Sequence, residues 1–303
     1  MFVCICISVV VTTQNDWHTP CMEKQGFELY FHNRRALVWV LDSINALIPE
    51  ANMHVDANSI RLKGMDVSHV GAFDIYMDLK QLTTKVECSN ADGFDIGFTT
   101  KVFKSFISGF VTNIMVLQYI HGEDALHMIE KVDPTGVDPT GVDPTRGKKQ
   151  KTRGHNECKM NLIDLDVETM EIAALKDTAK IDISPKVWMT LIKEFSHTGE
   201  AITLECDAEK MICETKDTIM GERRRVLMHE GEVFIEFDAP DTIRLDLSLK
   251  QLMMGCEKVS TSTHEDERMR IEMGGLAAFH YYKGHKDTPE CRISYYLAPR
   301  IVE

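Results

Sequence analysis

Apolar residues recur along this chain with two periods, and each switch between them marks an element. Residues 27–31 alternate as in a strand, whereas Leu37, Val40, Leu41, Ile44, Leu47 and Ile48 fall at helical spacing across 34–48. That helix leaves Arg35, Asp42 and Asn45 on its other side, has Asn33 before it as a cap, and ends at Pro49. Asp56-Ala57-Asn58 then separates runs 52–56 and 59–64, a hairpin pattern. Strands follow at 69–79, 84–88 and 93–98, with Ser89-Asn90-Ala91-Asp92-Gly93 as a turn, then a helix over 101–108 and strands over 113–120 and 125–130.

The second half repeats this order. A strand at 180–183 leads into Ser184-Pro185, a cap followed by proline at the first helical position. Trp188, Leu191, Ile192 and Phe195 face one way from that helix and Lys186, Thr190 and Lys193 the other. Strands are predicted at 224–229, 232–237 and 242–245, a helix from Asp246 to Glu257, and strands at 268–273, 276–282 and 291–296. Glu50-Ala51 followed by Asp56-Ala57-Asn58-Ser59-Ile60 is echoed by Glu200-Ala201 followed by Asp207-Ala208-Glu209-Lys210-Met211, each behind a helix. The expected class is α+β: two tandem domains, each an antiparallel sheet with two helices on one face, joined by a connector. The boundaries are an extension over 1–23, a first domain over 24–161, a connector over 162–177 and a second domain over 178–303. The stretch from Met160 to Ile172 reads as a strand that runs out into an acidic connector.

Within the first domain, 132–153 reads as an inserted loop. Val-Asp-Pro-Thr recurs three times from Val132 to Thr145, and its prolines and sparse apolar surface keep it solvated. Lys148, Lys149, Lys151 and Arg153 extend it with positive charge, as in an import signal, a nucleic-acid contact or a merely soluble loop. The apolar run from Phe2 to Val11 has no basic residue before it and is too short for a membrane span; Met22 is a second candidate start.

At 303 residues, with 44% hydrophobic and 27% charged residues, the chain buries a substantial core. Its net charge of -13 argues against a uniformly basic nucleic-acid binder but leaves room for a local positive surface. The 9 cysteines form no CxxC pair, which points to reduced thiols and away from a zinc site. There is no GxxxxGK[ST], GxSxG, HExxH or GxGxxG motif. Ser68-His69 and Ser196-His197 are adjacent pairs; on a strand such neighbours point to opposite faces, beyond the reach a nucleophile and its base need. Asp164, Asp166 and Glu168 lack the glycine of a calcium loop and read as a solvated connector. No cofactor, metal or catalytic residue is expected.

Four segments carry a resemblance. Gly64-Met65-Asp66-Val67-Ser68-His69-Val70, Leu162-Ile163-Asp164-Leu165-Asp166-Val167-Glu168, Phe195-Ser196-His197-Thr198-Gly199-Glu200-Ala201 and Tyr295-Tyr296-Leu297-Ala298-Pro299-Arg300-Ile301 occur in one order from about Gly26 to the end. In them the chain resembles the proliferating cell nuclear antigen family, the eukaryotic and archaeal DNA sliding clamps. That resemblance implies a nuclear homotrimeric ring around duplex DNA, with helices inside and sheets outside, opened by an ATP-consuming clamp loader and holding DNA polymerase and other replication and repair proteins. It implies no enzyme activity and no membrane. A subunit of a heterotrimeric checkpoint clamp, or a viral processivity factor, is the alternative, and an unrecognised hydrolase is more remote.

The resemblance also assigns sites. Partners carrying a glutamine-aliphatic-aromatic motif would dock on Met65, His69, Val70, Met170, Ile172, Tyr296, Ala298, Pro299 and Arg300. The DNA-facing set is Arg34, Arg35, Lys101, Lys104, Lys186, Lys193 and Lys250. Ring closure would join 156–163 to 221–229 of the next copy, where Arg223, Arg224 and Arg225 cluster. The chain departs from the family at Met170-Glu171-Ile172, where leucine-glycine-isoleucine is usual, at Ala72, and at Val38, Trp39 and Asn45, where the first helix usually carries lysine.

Overall fold

Phe27, Leu29 and Phe31 are fully buried on one face of strand β1 (Gly26–Phe31), so the alternation in the sequence is that of a strand with one face on the core. The structure, a computed structural model, describes residues 25–45, 47–66, 68–131, 156–165, 175, 178–230, 233–257, 268–284 and 289–300. The 1–23 extension, the 132–153 insertion and most of the 162–177 connector lie outside the described residues.

After β1 come α1 (Arg35–Ile44), β2 (Glu50–Val55), β3 (Ser59–Met65), β4 (Gly71–Asp78), α2 (Leu79–Leu82), β5 (Thr83–Cys88), β6 (Phe94–Thr99), α3 (Thr100–Ser108), β7 (Met115–Ile120), β8 (Ala125–Glu130) and β9 (Glu157–Asn161). The second half runs β10 (Ala179–Ile183), α4 (Pro185–Ser196), β11 (Ala201–Cys206), β12 (Lys210–Asp217), β13 (Gly221–Met228), β14 (Phe234–Asp238), β15 (Ile243–Ser248), α5 (Leu249–Glu257), β16 (Met269–Met273), β17 (Ala277–Gly284) and β18 (Pro289–Leu297). Among the described residues these strands form three antiparallel sheets. A five-stranded sheet, β5-β1-β7-β8-β9, belongs to the first half and a four-stranded sheet, β13-β12-β11-β15, to the second. The nine-stranded sheet between them, β14-β10-β16-β17-β18-β4-β3-β2-β6, draws on both halves.

The two halves match residue by residue. Both hairpin aspartates accept the same bonds: Asp56 from the Asn58 and Ser59 amides, Asp207 from the Glu209 and Lys210 amides. The first strand of each half has its register shift one residue before its end, between Tyr30 and Phe31 and between Asp182 and Ile183. The chain beyond the last strand crosses the neighbouring strand alike, Ile163 N donating to Gly97 O at 3.0 Å and Arg300 N to Asp246 O at 2.7 Å.

Four expectations need correction. The helix expected across 34–48 ends at Ile44, and the Leu47 and Ile48 amides both donate to Ile44 O in the turn that follows. Asp246 to Ser248 belong to β15 rather than a helix, because Leu245 and Leu247 are buried on alternate residues; α5 starts at Leu249. His69 is not in a strand but in the turn before β4, with φ of 54°. Ser184 makes no side-chain cap; its carbonyl accepts from Trp188 while Pro185 occupies the first helical position.

Helices and sheets pack as layers. α1 lies on α3, α4 on α5, and α1 meets α5 where the halves join. Below that meeting point β4 and β18 pair through seven opposed residues, from Cys291 opposite Met77 to Leu297 opposite Gly71. Phe73 and Tyr295 stack across this ladder at 4.6 Å, and the Tyr295 hydroxyl donates to Gln251 O of α5. Gly255 of α5 sits on the Tyr295 ring so closely that a Cβ there would lie 2.1 Å from it. Exchanging a helical glycine for alanine ordinarily gains about 1 kcal/mol. At Gly255 overpacking outweighs that gain, and Gly255→Ala is expected to lower stability by about 1–3 kcal/mol in urea unfolding.

Candidate functional site

The turn between β3 and β4 is built around Asp66, a buried carboxylate whose Oδ1 accepts from the Ser68 amide, the Ser68 hydroxyl and the Val70 amide. The Asp66 amide donates to Gly71 O, closing the loop on itself. Gln251 of α5 reaches across from the second half and donates to Ser68 Oγ at 3.0 Å. The tail after β18 lies along the turn, Ala298 N donating to Val70 O at 3.1 Å.

This construction leaves apolar surface open on the outer side. Met65 is 45% and Val70 38% exposed, and His69, Ala298, Pro299 and Arg300 are exposed around them. Tyr296 is half-buried and packs edge-on against His280, ring centroids 5.9 Å apart. Burial, with Arg292 and Arg270 nearby, pushes His280 down to about 4, so that ring is neutral at neutral pH and hydrogen-bonds Ser294. The turn, the tail and the last strand thus come together; Met170 and Ile172 lie outside the described residues. Asp66 and Gln251 were not singled out from the sequence. Asp66-Val67-Ser68 carries an Asx-turn signal, but nothing local marks Gln251, which arrives from another half of the chain.

On the helix layer the predicted cations divide. Arg35, Lys101, Lys186, Lys193 and Lys250 are exposed and, among the described residues, form no ion pair. Lys101 and Lys250 occupy matching positions, each the second residue of its helix. Lys104 is instead paired with Asp42 of α1 at 2.6 Å. Arg34 is committed elsewhere: its Nε, Nη1 and Nη2 donate to the carbonyls of Thr112, Ile107 and Phe110, tying down the end of α3. Trp39 is only 8% exposed and lies under the Lys283 ammonium at 5.4 Å, so α1 shows little but Arg35, Val38 and Asp42.

Neither serine-histidine pair lies on a strand. Ser68 bonds to Asp66 and Gln251 within the turn, and Ser196 donates to Lys193 O at the end of α4, where His197 is the cap. Each serine hydroxyl is thus engaged with a partner other than its neighbouring histidine.

Paired halves thus place a helix layer on one side and sheets on the other. The fold is similar to the crystal structure of PCNA from Thermococcus kodakaraensis, at TM-score 0.73 and 18% identity over 90% of this chain and 100% of that one. It is equally similar to Proliferating Cellular Nuclear Antigen from Entamoeba histolytica, at TM-score 0.72 and 18% identity over 91% of this chain and 99% of that one. No family model and no curated protein matches the sequence. The chain therefore has the PCNA-like sliding-clamp fold.

Because Arg34 caps a helix end, Arg34→Ala is expected to cost about 1–3 kcal/mol of stability in denaturant unfolding, like other charge-assisted bonds to backbone. Lys101→Ala, at an exposed and unpaired site, is expected to change stability by less than about 0.5 kcal/mol.

Proposed function

We propose that three copies of this chain close head to tail into a ring that encircles duplex DNA and slides along it. As a processivity factor without a reaction of its own, the ring tethers DNA polymerase and other replication and repair proteins in the nucleus, and a clamp loader opens it. The observation that carries this reading is a pair of open edges. β9 ends the five-stranded sheet and β13 the four-stranded sheet. They are the counterparts of β18 and β4, which already pair inside the chain. A copy with one open edge of each kind associates heterologously, and such contacts give a ring when the rotation closes.

Arg35, Lys101, Lys186, Lys193 and Lys250, which form no ion pair among the described residues, supply a sequence-independent attraction for phosphates, and so sparse a set suits a protein retained by topology. On the sheet side, Met65, His69, Val70, Tyr296, Ala298, Pro299 and Arg300, with Met170 and Ile172 of the connector, take the glutamine-aliphatic-aromatic peptide of a partner. A soft, apolar surface beside the tail fits an aromatic anchor.

Sedimentation and DNA retention test the ring. The purified chain is expected to sediment as three copies, and once loaded on nicked circular DNA to resist high salt until the circle is cut. A monomer, or release from circles and linear DNA alike at one salt concentration, would overturn the proposal. For the pocket, Met65→Ala with Tyr296→Ala is expected to weaken such a peptide by about tenfold or more in fluorescence anisotropy, with sedimentation unchanged. Unaltered peptide affinity would remove those two residues from the site.

A further inference from the structure

The Asp66 turn is tied down from two sides. Ala298 N of the tail donates to Val70 O, and Gln251 of α5 donates to Ser68 Oγ from the second half. Gln251 is itself anchored: it lies half-buried in the first turn of α5, and its carbonyl accepts from the Tyr295 hydroxyl of the junction ladder. The bond also has a direction. A carboxylate only accepts, so the one Ser68 hydroxyl proton goes to Asp66 Oδ1 at 2.8 Å, and Ser68 Oγ is left to accept from Gln251 at 3.0 Å. Asp66 Oδ2 is buried without a hydrogen-bond partner, so Oδ1 alone carries the turn's three donors.

Such a turn needs an outside hold. His69 has φ of 54°, a left-handed conformation that residues with a Cβ rarely adopt, and it persists only where its surroundings fix it. The repeat of the unit in the second half isolates what Gln251 adds. Lys101 and Lys250 match, so Val102 of α3 stands where Gln251 stands. Asp217 matches Asp66, accepting from the Ile219 and Met220 amides as Asp66 does from the Ser68 and Val70 amides, so Ile219 stands for Ser68. That turn is one residue shorter and takes its positive φ at Gly221. Helix and turn thus both form with valine and isoleucine at these positions. The glutamine–serine pair occurs where the turn carries a strained histidine and the proposed docking surface.

We propose that Gln251 is a positioning residue for partner binding: through Ser68 it holds His69 and Val70 in the presented conformation, without touching the partner peptide itself. This role rests on the docking reading above and adds to it a residue from the helix layer. Docking then depends on how the two halves are joined, because the turn belongs to one half and Gln251 to the other.

Gln251→Val, which copies the residue of the other half, tests this in the full chain. It is expected to raise the Kd of a fluorescein-labelled glutamine-aliphatic-aromatic peptide about threefold to tenfold in anisotropy, at a temperature where the chain stays folded and with sedimentation unchanged. Gln251→Glu, equal in size but without the donor, is expected to weaken the peptide at least as much. In a Ser68→Ala chain, Gln251→Val is expected to weaken it no further, because the effect passes through that hydroxyl. The Val70 amide, which donates to Asp66, is expected to exchange its hydrogen about threefold faster in Gln251→Val. Unchanged peptide affinity in both Gln251 variants overturns the positioning role, and so does an equal loss in the Ser68→Ala chain. A wild-type chain that binds no such peptide overturns the docking reading instead; unchanged Val70 exchange then removes the hold of Gln251 on the turn as well.

Discussion

A strand at the end of a sheet exposes a row of backbone donors and acceptors, and the architecture follows from how this chain disposes of them. Each half builds one group of five strands and one of four, so each half has two such rows at the junction-type edges. Pairing β4 with β18 satisfies one row from each half and joins the groups into the nine-stranded sheet. The helices follow from that ladder: α1 meets α5 above it, and Gly255 exists to let α5 down onto Tyr295. The Asp66 turn depends on it too, since the tail reaches Val70 only because Leu297 lies opposite Gly71.

Charge is distributed to match. The sheet edges carry alternating acids and bases, and arginine on β13 is neutralised locally by Glu194 and Glu214. Such side chains discourage promiscuous pairing while remaining complementary to one another. The helix layer is only sparsely basic, with Asp42 cancelling Lys104 and Trp39 buried. An acidic body with a thin positive layer would attract phosphates only weakly, which suits the sliding proposed above.

Much of this was legible in the sequence because period and turn chemistry are local. The alternation of Phe27, Leu29 and Phe31, the helical stripe from Leu37 to Ile44, and the two aspartate hairpins all appear where the residues place them. The errors have one cause as well. Asp246-Leu247-Ser248 reads as helix until β11 is seen to pair with it, and Arg34 reads as a surface cation until the end of α3 is seen beside it. Gln251 is a similar case. Contacts between residues far apart in sequence are invisible to any short window, and both the helix cap at Arg34 and the Ser68–Gln251 bond are of that kind.

The junction and its counterpart at the open edges differ in chemistry, and the difference has a physical reason. Inside the chain the opposed residues are Phe73 with Tyr295 and Ile75 with Ile293, an apolar contact that never has to face water once the chain has folded. On β13 and β9, whose ladders repeat those of β4 and β18, the corresponding positions hold Arg223 and Cys158, Arg225 and Asn156. These positions stand at sheet edges in the single chain, and an exposed row of aromatics there would aggregate. Polar pairs cost desolvation when buried and return only part of it, so a joint made from them would be weaker than the junction. In the proposed ring, β9 and β13 would therefore part before β4 and β18. The stronger and the weaker joint follow from one repeated unit, written once in apolar residues and once in charged ones.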